Sequence, residues 1–443
     1  MKKPELHHQA FDHEMALLKA DERIGRDVGF IRRRPRKIEP LQLLKAFCML
    51  LPDPCPSLRS LAAVLSILRS RSVSKQAVAK RLNGAWVDFL KQMLALLLCR
   101  HIEPGPEDAL FSGFGRVLLQ DSSVLPLPAF MARYYKGSRN GHDKAYSQAK
   151  VQAILDIKSR SYVKFDITSF TRNDQSAAGD ILDILGTGDV VIRDLGYFVT
   201  GVLSRIHKAG AFFLSRYHHR SSVFDARCAP LDILEVLTRK GQMDALIRIG
   251  AVEKLAVRIV ALPVPASVAN ERRRLMRKDT RYCPSARHLK LLGWTIFITN
   301  VPEETWDARQ IAEIYGLRWR IEIVFKAWKS HFGITSYSQR ASRHQIESVI
   351  YTRLIYALLF QITVYSPLLY LMKSRYKRKV SLIKLASFFT RYHWLISPVP
   401  QSIDKNFPIE ILGYFCAYDK RKRLNYEDRL EMLGEQKNDN KLS

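Results

Sequence analysis

The chain has 443 residues, 47% apolar and 26% charged, which excludes a disordered or fibrous protein and leaves room for two to four cores. Lysine and arginine total 71 against 42 aspartates and glutamates, a formal net charge of +29 whose natural partner is a polyanion. The cysteines (Cys48, Cys55, Cys99, Cys228, Cys283 and Cys416) form no C-x-x-C pair and none sits at zinc-ligand spacing from a histidine, which speaks against a zinc site or a disulfide framework.

Taken in chain order, residues 1–108 read as helical. The opening stretch MKKPELHHQAFDHEM lacks the apolar core of a signal peptide. A basic run from Arg32 to Lys37 looks like a solvated arm ending at Glu39-Pro40. Apolar residues at helical spacing follow from Ser57, and Ser74 is placed to cap a second short helix. On that helix Ala77, Val78 and Leu82 face inward and Lys75, Gln76, Lys80 and Arg81 face out. A pair of short helices with a cationic second member makes 57–83 a candidate helix-turn-helix.

Near residue 116 the pattern changes to strand. Val117 to Gln120 is a short apolar run closed by Asp121-Ser122-Ser123, and Lys150–Ile157 and Tyr162–Phe170 are further strands joined by a turn. A helix is expected over Asp174–Leu185, then a buried strand ending at Asp194, a helix over Phe198–Ala209, and a strand Ala211–Ser215 ending before Arg216. Three strands, a helix, a strand, a helix and a strand is the order of a ribonuclease-H-like core. Residues 217–304 interrupt it as a β-rich insertion with strands at Leu255–Ala261 and Leu291–Thr299 and a basic run from Arg272 to Lys278. After Trp306 one long helix is expected, capped at Thr305 or Asp307 and stopped near Gly333. The most apolar stretch, Ile346–Met372, contains Glu347, Arg353, Gln361 and Pro367, so it reads as a buried helix and not a membrane span. Residues 373–443 form a basic helical end suited to dimerisation. The expected organisation is therefore α/β: a helical DNA-binding region over 1–108, core segments over 109–216 and 305–372 flanking the insertion, and a C-terminal helical region.

Projected on an uninterrupted helix at ~100° per residue, Tyr315, Arg318, Glu322 and Lys329 share an arc of roughly 60°, beside an apolar sector carrying Ile314, Leu317, Ile321, Val324 and Trp328. One stripe packs on a core while its neighbour aligns a carboxylate between cations; the alternative is a solvated face with i,i+4 charge pairs. Carboxylates at the ends of two adjacent strands, Asp121 and Asp194, facing Glu322 on a helix can hold two divalent cations. Hard oxygen donors favour Mg²⁺, with Mn²⁺ as substitute.

The spacing Tyr315-x-x-Arg318-x-x-x-Glu322-x-x-x-x-x-x-Lys329 resembles the Tyr-Arg-Glu-Lys signature of the insertion-sequence-four family of transposases. Asp194-Leu-Gly-Tyr-Phe is similar to that family's second motif and Asp121-Ser-Ser to its first, with Ser123 where threonine is commoner. The resemblance spans residues 110–370. It implies that Asp121, Asp194 and Glu322 are the catalytic, metal-holding triad known as DDE, and that a homodimer acts on double-stranded DNA at terminal inverted repeats. It also implies transfer of a freed 3′-hydroxyl to target DNA, often through a hairpin. Tyr315, Arg318 and Lys329 would contact the DNA backbone, Trp294 would stack on an extruded base unless it fills the insertion's core, and Arg216 resembles a further DNA contact. The expected setting is the bacterial cytoplasm, at the nucleoid, with no membrane. Two rival readings are a catalytically silent DNA-binding copy and a cellular ribonuclease-H-like nuclease.

Overall fold

The computed structural model describes residues 22–32, 38–50, 53, 56–98, 111–139, 145–159, 161–279, 283–337, 341–392 and 410–417. Most of the basic run before Glu39, Cys55, Cys99 and the chain beyond Ala417 lie outside the described residues. The chain divides into two compact units, one comprising Met1–Ile102, Ser123–Ala149 and Glu322–Asn425, the other Glu103–Ser122, Lys150–Ile321 and Tyr426–Ser443.

The first unit is mostly helical. Helices span Pro40–Met49, Leu58–Arg69, Lys75–Arg81 and Gly84–Leu98. Ser57 and Ser74 accept from the N–H groups of Ser60 and Ala77, which satisfies amide donors that a helix start leaves open. The two candidate helix-turn-helix segments are thus helices, but Arg81 does not face out. Its guanidinium donates to the Phe30 carbonyl at 2.8 Å and stacks 4.5 Å from the Phe30 ring, and burial lowers its pKa. Phe30, Phe47, Trp86 and Phe89 form the aromatic centre, with Trp86 and Phe89 stacked at 5.3 Å.

Helix Arg343–Phe360 packs on Gly84–Leu98 and is buried from Ile346 to Phe360. With its continuation to Tyr376 it is long and apolar enough to cross a membrane by composition, yet its polar residues are engaged as in a core helix. Arg353, 4% exposed, donates to the Phe332 and Asp53 carbonyls, and buried Glu347 accepts from Tyr135 and Arg343.

The strands are β1 (Val117–Leu127), β2 (Lys136–Arg139), β3 (Ala145–Asp156), β4 (Ser161–Ser169), β5 (Val190–Arg193), β6 (Phe212–Arg216), β7 (Val223–Phe224), β8 (Met243–Ile249), β9 (Leu255–Pro263) and β10 (Trp294–Thr299). β2 pairs with the leading part of β3 in the first unit. In the second unit the order is β3-β1-β5-β6-β10-β9-β8-β7, with β4 also on β3. β1, β5 and β6 are mutually parallel, and β6 through β7 by way of β10, β9 and β8 are antiparallel. One sheet face is covered by Leu203 and Ile206 of helix Thr200–Lys208 and by Ile233 and Leu237 of helix Ile233–Lys240, against Leu118, Val191, Phe213, Ile259 and Ile298.

Three further expectations change in the sheet and its connections. β1 does not stop at Asp121 but continues as extended backbone to Leu127. Asp174–Leu185 is not an α-helix but a series of turns with one 3₁₀ turn, Ala178–Ile181; the Asn173 side chain takes the Ser176 N–H and hydroxyl, a local bond that competes with the helix ladder. The segment 217–304 adds its strands to the same sheet through the β6–β10 pairing, and its basic run lies on a helix, Ala266–Lys278.

Candidate active site

Three parallel strands end on one row. Gln120 pairs with Arg193 and Arg193 with Ser215, so the next residues of β1, β5 and β6 are Asp121, Asp194 and Arg216. Neighbouring strands lie about 4.8 Å apart, and carboxylates on one row of such strands repel unless a cation stands near both. Arg318 supplies it: Nη1 donates to Asp121 Oδ2 at 3.0 Å and Nη2 lies 3.8 Å from Asp194 Oδ1. The side chains of Asp121 and Arg318 are 12% and 13% exposed and that of Asp194 is 40% exposed, so access is from the Asp194 side. The other acid of β5's motif, Asp189, sits at the strand's opposite end, bound to Arg116 at 2.5 Å, and is structural.

Arg318 reaches this row because the expected single helix is broken. Asp307 and Gln310 form a capping box for helix Ala308–Gly316; Leu317 and Arg318 then turn on i→i+3 bonds to Ile314 and Tyr315, and helix Trp319–Ser330 follows. Gly316, a weak helix former, stands where the first helix ends. The stripe calculated for one straight helix therefore does not apply across 317–318. Tyr315 lies before the break, with its hydroxyl 3.5 Å from Asp194 Oδ1. Burial pushes its pKa up, the Asp194 charge adds to this, and Arg318 and Arg216 oppose it, so the phenol stays a neutral donor.

Glu322 and Lys329 lie in the first and last turns of helix Trp319–Ser330 and belong to the first unit, and burial lowers the Lys329 pKa. Among the described residues no group of three or more His, Cys, Asp or Glu side chains is gathered closely enough to hold a metal ion. The Asp121–Asp194 pair does fit a hard divalent cation: both donors are carboxylate oxygens, and a guanidinium already stands between them as a cation.

Arg216 is half-buried and opposite Phe297 of β10. Trp294 begins β10, three residues before Phe297. Its ring packs against the sheet core and its indole N–H donates to the Gly241 carbonyl at 2.6 Å. Composition and spacing gave no sign of Lys150, Gln152 and Asp174, which are hydrogen-bonded to one another, with Tyr197 of the Asp194 motif donating to Gln152; buried polar residues on a strand, such as Lys150 and Gln152, leave no periodic trace.

A family model described as "Transposase DDE domain" matches residues 112–358, more than half of the chain. The transposase for insertion sequence element IS231D of Bacillus thuringiensis subsp. finitimus is 28% identical over 87% of this chain and 84% of that protein. The IS231E transposase from the same organism is 26% identical over 93% and 92%. The IS1151 transposase of Clostridium perfringens is 27% identical over 78% and 77%. The IS231 and IS1151 elements belong to the insertion-sequence-four family, in agreement with the resemblance carried by Tyr315, Arg318, Glu322 and Lys329. A Drosophila P element transposase strand transfer complex aligns over 87% of this chain and 91% of that one at 11% identity, with a TM-score of 0.20, too low to establish a shared fold.

Proposed function

We infer, from a chain that belongs to the transposase DDE-domain family, that it is a bacterial insertion-sequence transposase that cuts DNA at terminal inverted repeats and joins the 3′-hydroxyl ends to target DNA. The observation that carries this reading is the placement of Asp121 and Asp194 on one row of adjacent parallel strands, bridged by Arg318. The strand order β4-β3-β1-β5-β6, with β1, β5 and β6 parallel, supports a ribonuclease-H-like core.

Asp121, Asp194 and Glu322 would hold two Mg²⁺ ions, or Mn²⁺ in their place. When bound, such ions activate the attacking oxygen and stabilise the leaving oxygen at phosphorus. The protein's part is to hold the carboxylates at the open end of the sheet and the DNA backbone beside them. Tyr315, kept neutral by burial, is a hydroxyl donor to a phosphate oxygen; Arg318, Arg216 and Lys329 are cations for phosphates, and a guanidinium can serve one bidentately. Trp294 is already tied to Gly241, which favours holding the sheet over stacking on an extruded base, and a hairpin route would then need another platform. The pair Leu58–Arg69 and Lys75–Arg81 presents Lys75, Gln76 and Lys80 for end recognition, without Arg81. Action as a homodimer in the cytoplasm, away from membranes, completes the reading.

The test is excision in cells. The gene with its native flanking DNA is placed on a plasmid, and donor junctions are sequenced for wild type, Glu322→Gln and Asp194→Asn. Excision by wild type alone is expected. Excision by either variant removes that residue from the site. Absence of excision by all three, with DNA binding intact, identifies a silent copy. DNA cutting without excision at inverted repeats identifies a cellular nuclease.

A further inference from the structure

Behind the aspartate row lies a chain of polar side chains that the proposed chemistry does not use. The Ser122 N–H donates to Asp121 Oδ1 at 2.8 Å, and the Ser122 hydroxyl donates to Asp174 Oδ1 at 2.8 Å. The same Asp174 oxygen accepts from Lys150 Nζ at 3.0 Å and from Gln152 Nε2 at 3.4 Å. Gln152 Oε1 in turn accepts the Tyr197 hydroxyl. Tyr197 is three residues after Asp194. Between them Gly196 lies so near Asp174 that a Cβ there would sit 2.9 Å from Oδ2. Asp174 therefore bonds the residue that follows Asp121 and packs against the turn that follows Asp194.

The burial of this chain says that it is built, not incidental. Lys150 and Gln152 are each 6% exposed, and an ammonium so placed is costly without a partner. Its partner is Asp174, with the Phe170 ring 5.3 Å away. Burial and the Asp174 charge push the Tyr197 phenol up, so it remains a donor. Three donors converge on Oδ1 of Asp174, while its Oδ2 faces Gly196. A satisfied polar network in a low-dielectric setting is rigid, and loss of one member loosens the rest.

We propose that Asp174 is a positioning residue, which through Ser122 and Gly196 holds the Asp121 and Asp194 carboxylates in register for a divalent cation. The proposal rests on the reading that these two aspartates hold metal. Partners that orient metal ligands typically change affinity by about 10–100-fold when removed. Mn²⁺ binding to the full-length protein is followed by electron paramagnetic resonance, with the thermal midpoint of each variant measured beside it. Asp174→Asn and Ser122→Ala should each weaken Mn²⁺ binding by about tenfold. Ser122→Thr, which keeps both the N–H and the hydroxyl, should bind as wild type, and Asp194→Asn should lose binding. Asp174→Asn leaves Lys150 without its charge partner, so if that variant does not fold, the folded Ser122→Ala decides. Wild-type affinity in Ser122→Ala or a folded Asp174→Asn, with binding lost in Asp194→Asn, overturns the positioning role. Wild-type affinity in Asp194→Asn overturns the metal reading itself, and the proposal with it.

Discussion

Replacing Arg318 with glutamine removes the guanidinium that contacts both Asp121 and Asp194 and leaves a shorter, neutral polar side chain. The Arg318–Asp121 contact, at 3.0 Å between groups 13% and 12% exposed, is close to a buried ion pair, and removing one partner of such a pair costs about 3–5 kcal/mol. The Asp194 contact is longer, 3.8 Å, and its carboxylate is 40% exposed, so it contributes no more than about 1 kcal/mol. Water entering from the Asp194 side lowers the total, and about 3 kcal/mol is the expected loss in metal-free protein. A divalent cation bound by the same carboxylates would replace the missing charge. Ligand at a hundred times its Kd restores about 2.7 kcal/mol, and each 1.4 kcal/mol of relieved competition is about a tenfold gain in affinity. The assay is urea unfolding of wild type and Arg318→Gln, each with and without Mg²⁺ in excess. The variant should be less stable without metal, and the gap should close with it. An equal loss in both conditions would refute competition between guanidinium and metal for the aspartates; no loss in either would show that the bridge contributes nothing to stability.

Lys329→Ala should weaken DNA binding and reduce the log–log salt slope by about 0.9, the share of one phosphate contact; binding isotherms at several salt concentrations check this, and an unchanged slope removes the contact. Trp294→Ala should lower stability by about 2 kcal/mol through lost packing and the lost bond to Gly241, with strand nicking proceeding to later products as in wild type. A stall after nicking at unchanged thermal midpoint would instead assign the ring to an extruded base. The His219 pKa is lowered to about 4 by burial and by His288, His218 and Arg220, and His219 and His288 stack at 3.8 Å. His218 and His288 shift the same way. The folded state thus resists protonation that the unfolded chain accepts below about pH 6.5, so stability should fall as pH drops from there toward 4. His219→Gln should flatten the thermal-midpoint profile in that window; an unaltered profile would place the titration elsewhere.

Much of the candidate site could be proposed from the sequence because its residues sit in local patterns. The Tyr-Arg-Glu-Lys spacing needs no contact map, and a run such as Val190-Val191-Ile192 between turn residues reads as a buried strand from composition alone. The same run is flanked by Asp189 and Asp194; periodicity does not tell them apart, and only the resemblance of Asp194-Leu-Gly-Tyr-Phe singles out the second. Parallel pairing of β1, β5 and β6 separates them: Asp194 shares a row with Asp121 and Arg216, whereas Asp189 is bound to Arg116 at the other end. Helical periodicity over 308–330 was real but concealed a turn, since Leu317 and Arg318 fit a helical pattern whether the backbone bonds i→i+3 or i→i+4. Arg81 looked outward because helical projection sees only its own helix, while the Phe30 carbonyl that holds it comes from 51 residues earlier.

The sequence by itself determined the chemistry available: an excess of positive charge, hard oxygen donors on two strands and a helix, and the family to which the chain belongs. Tertiary structure decided which groups meet. It set Arg318 between the two aspartates and brought Asp174, Lys150 and Gln152 behind Ser122. Those contacts join residues dozens to nearly two hundred positions apart, and no periodicity encodes them, because strand register and buried hydrogen bonds are satisfied only once the sheet has assembled.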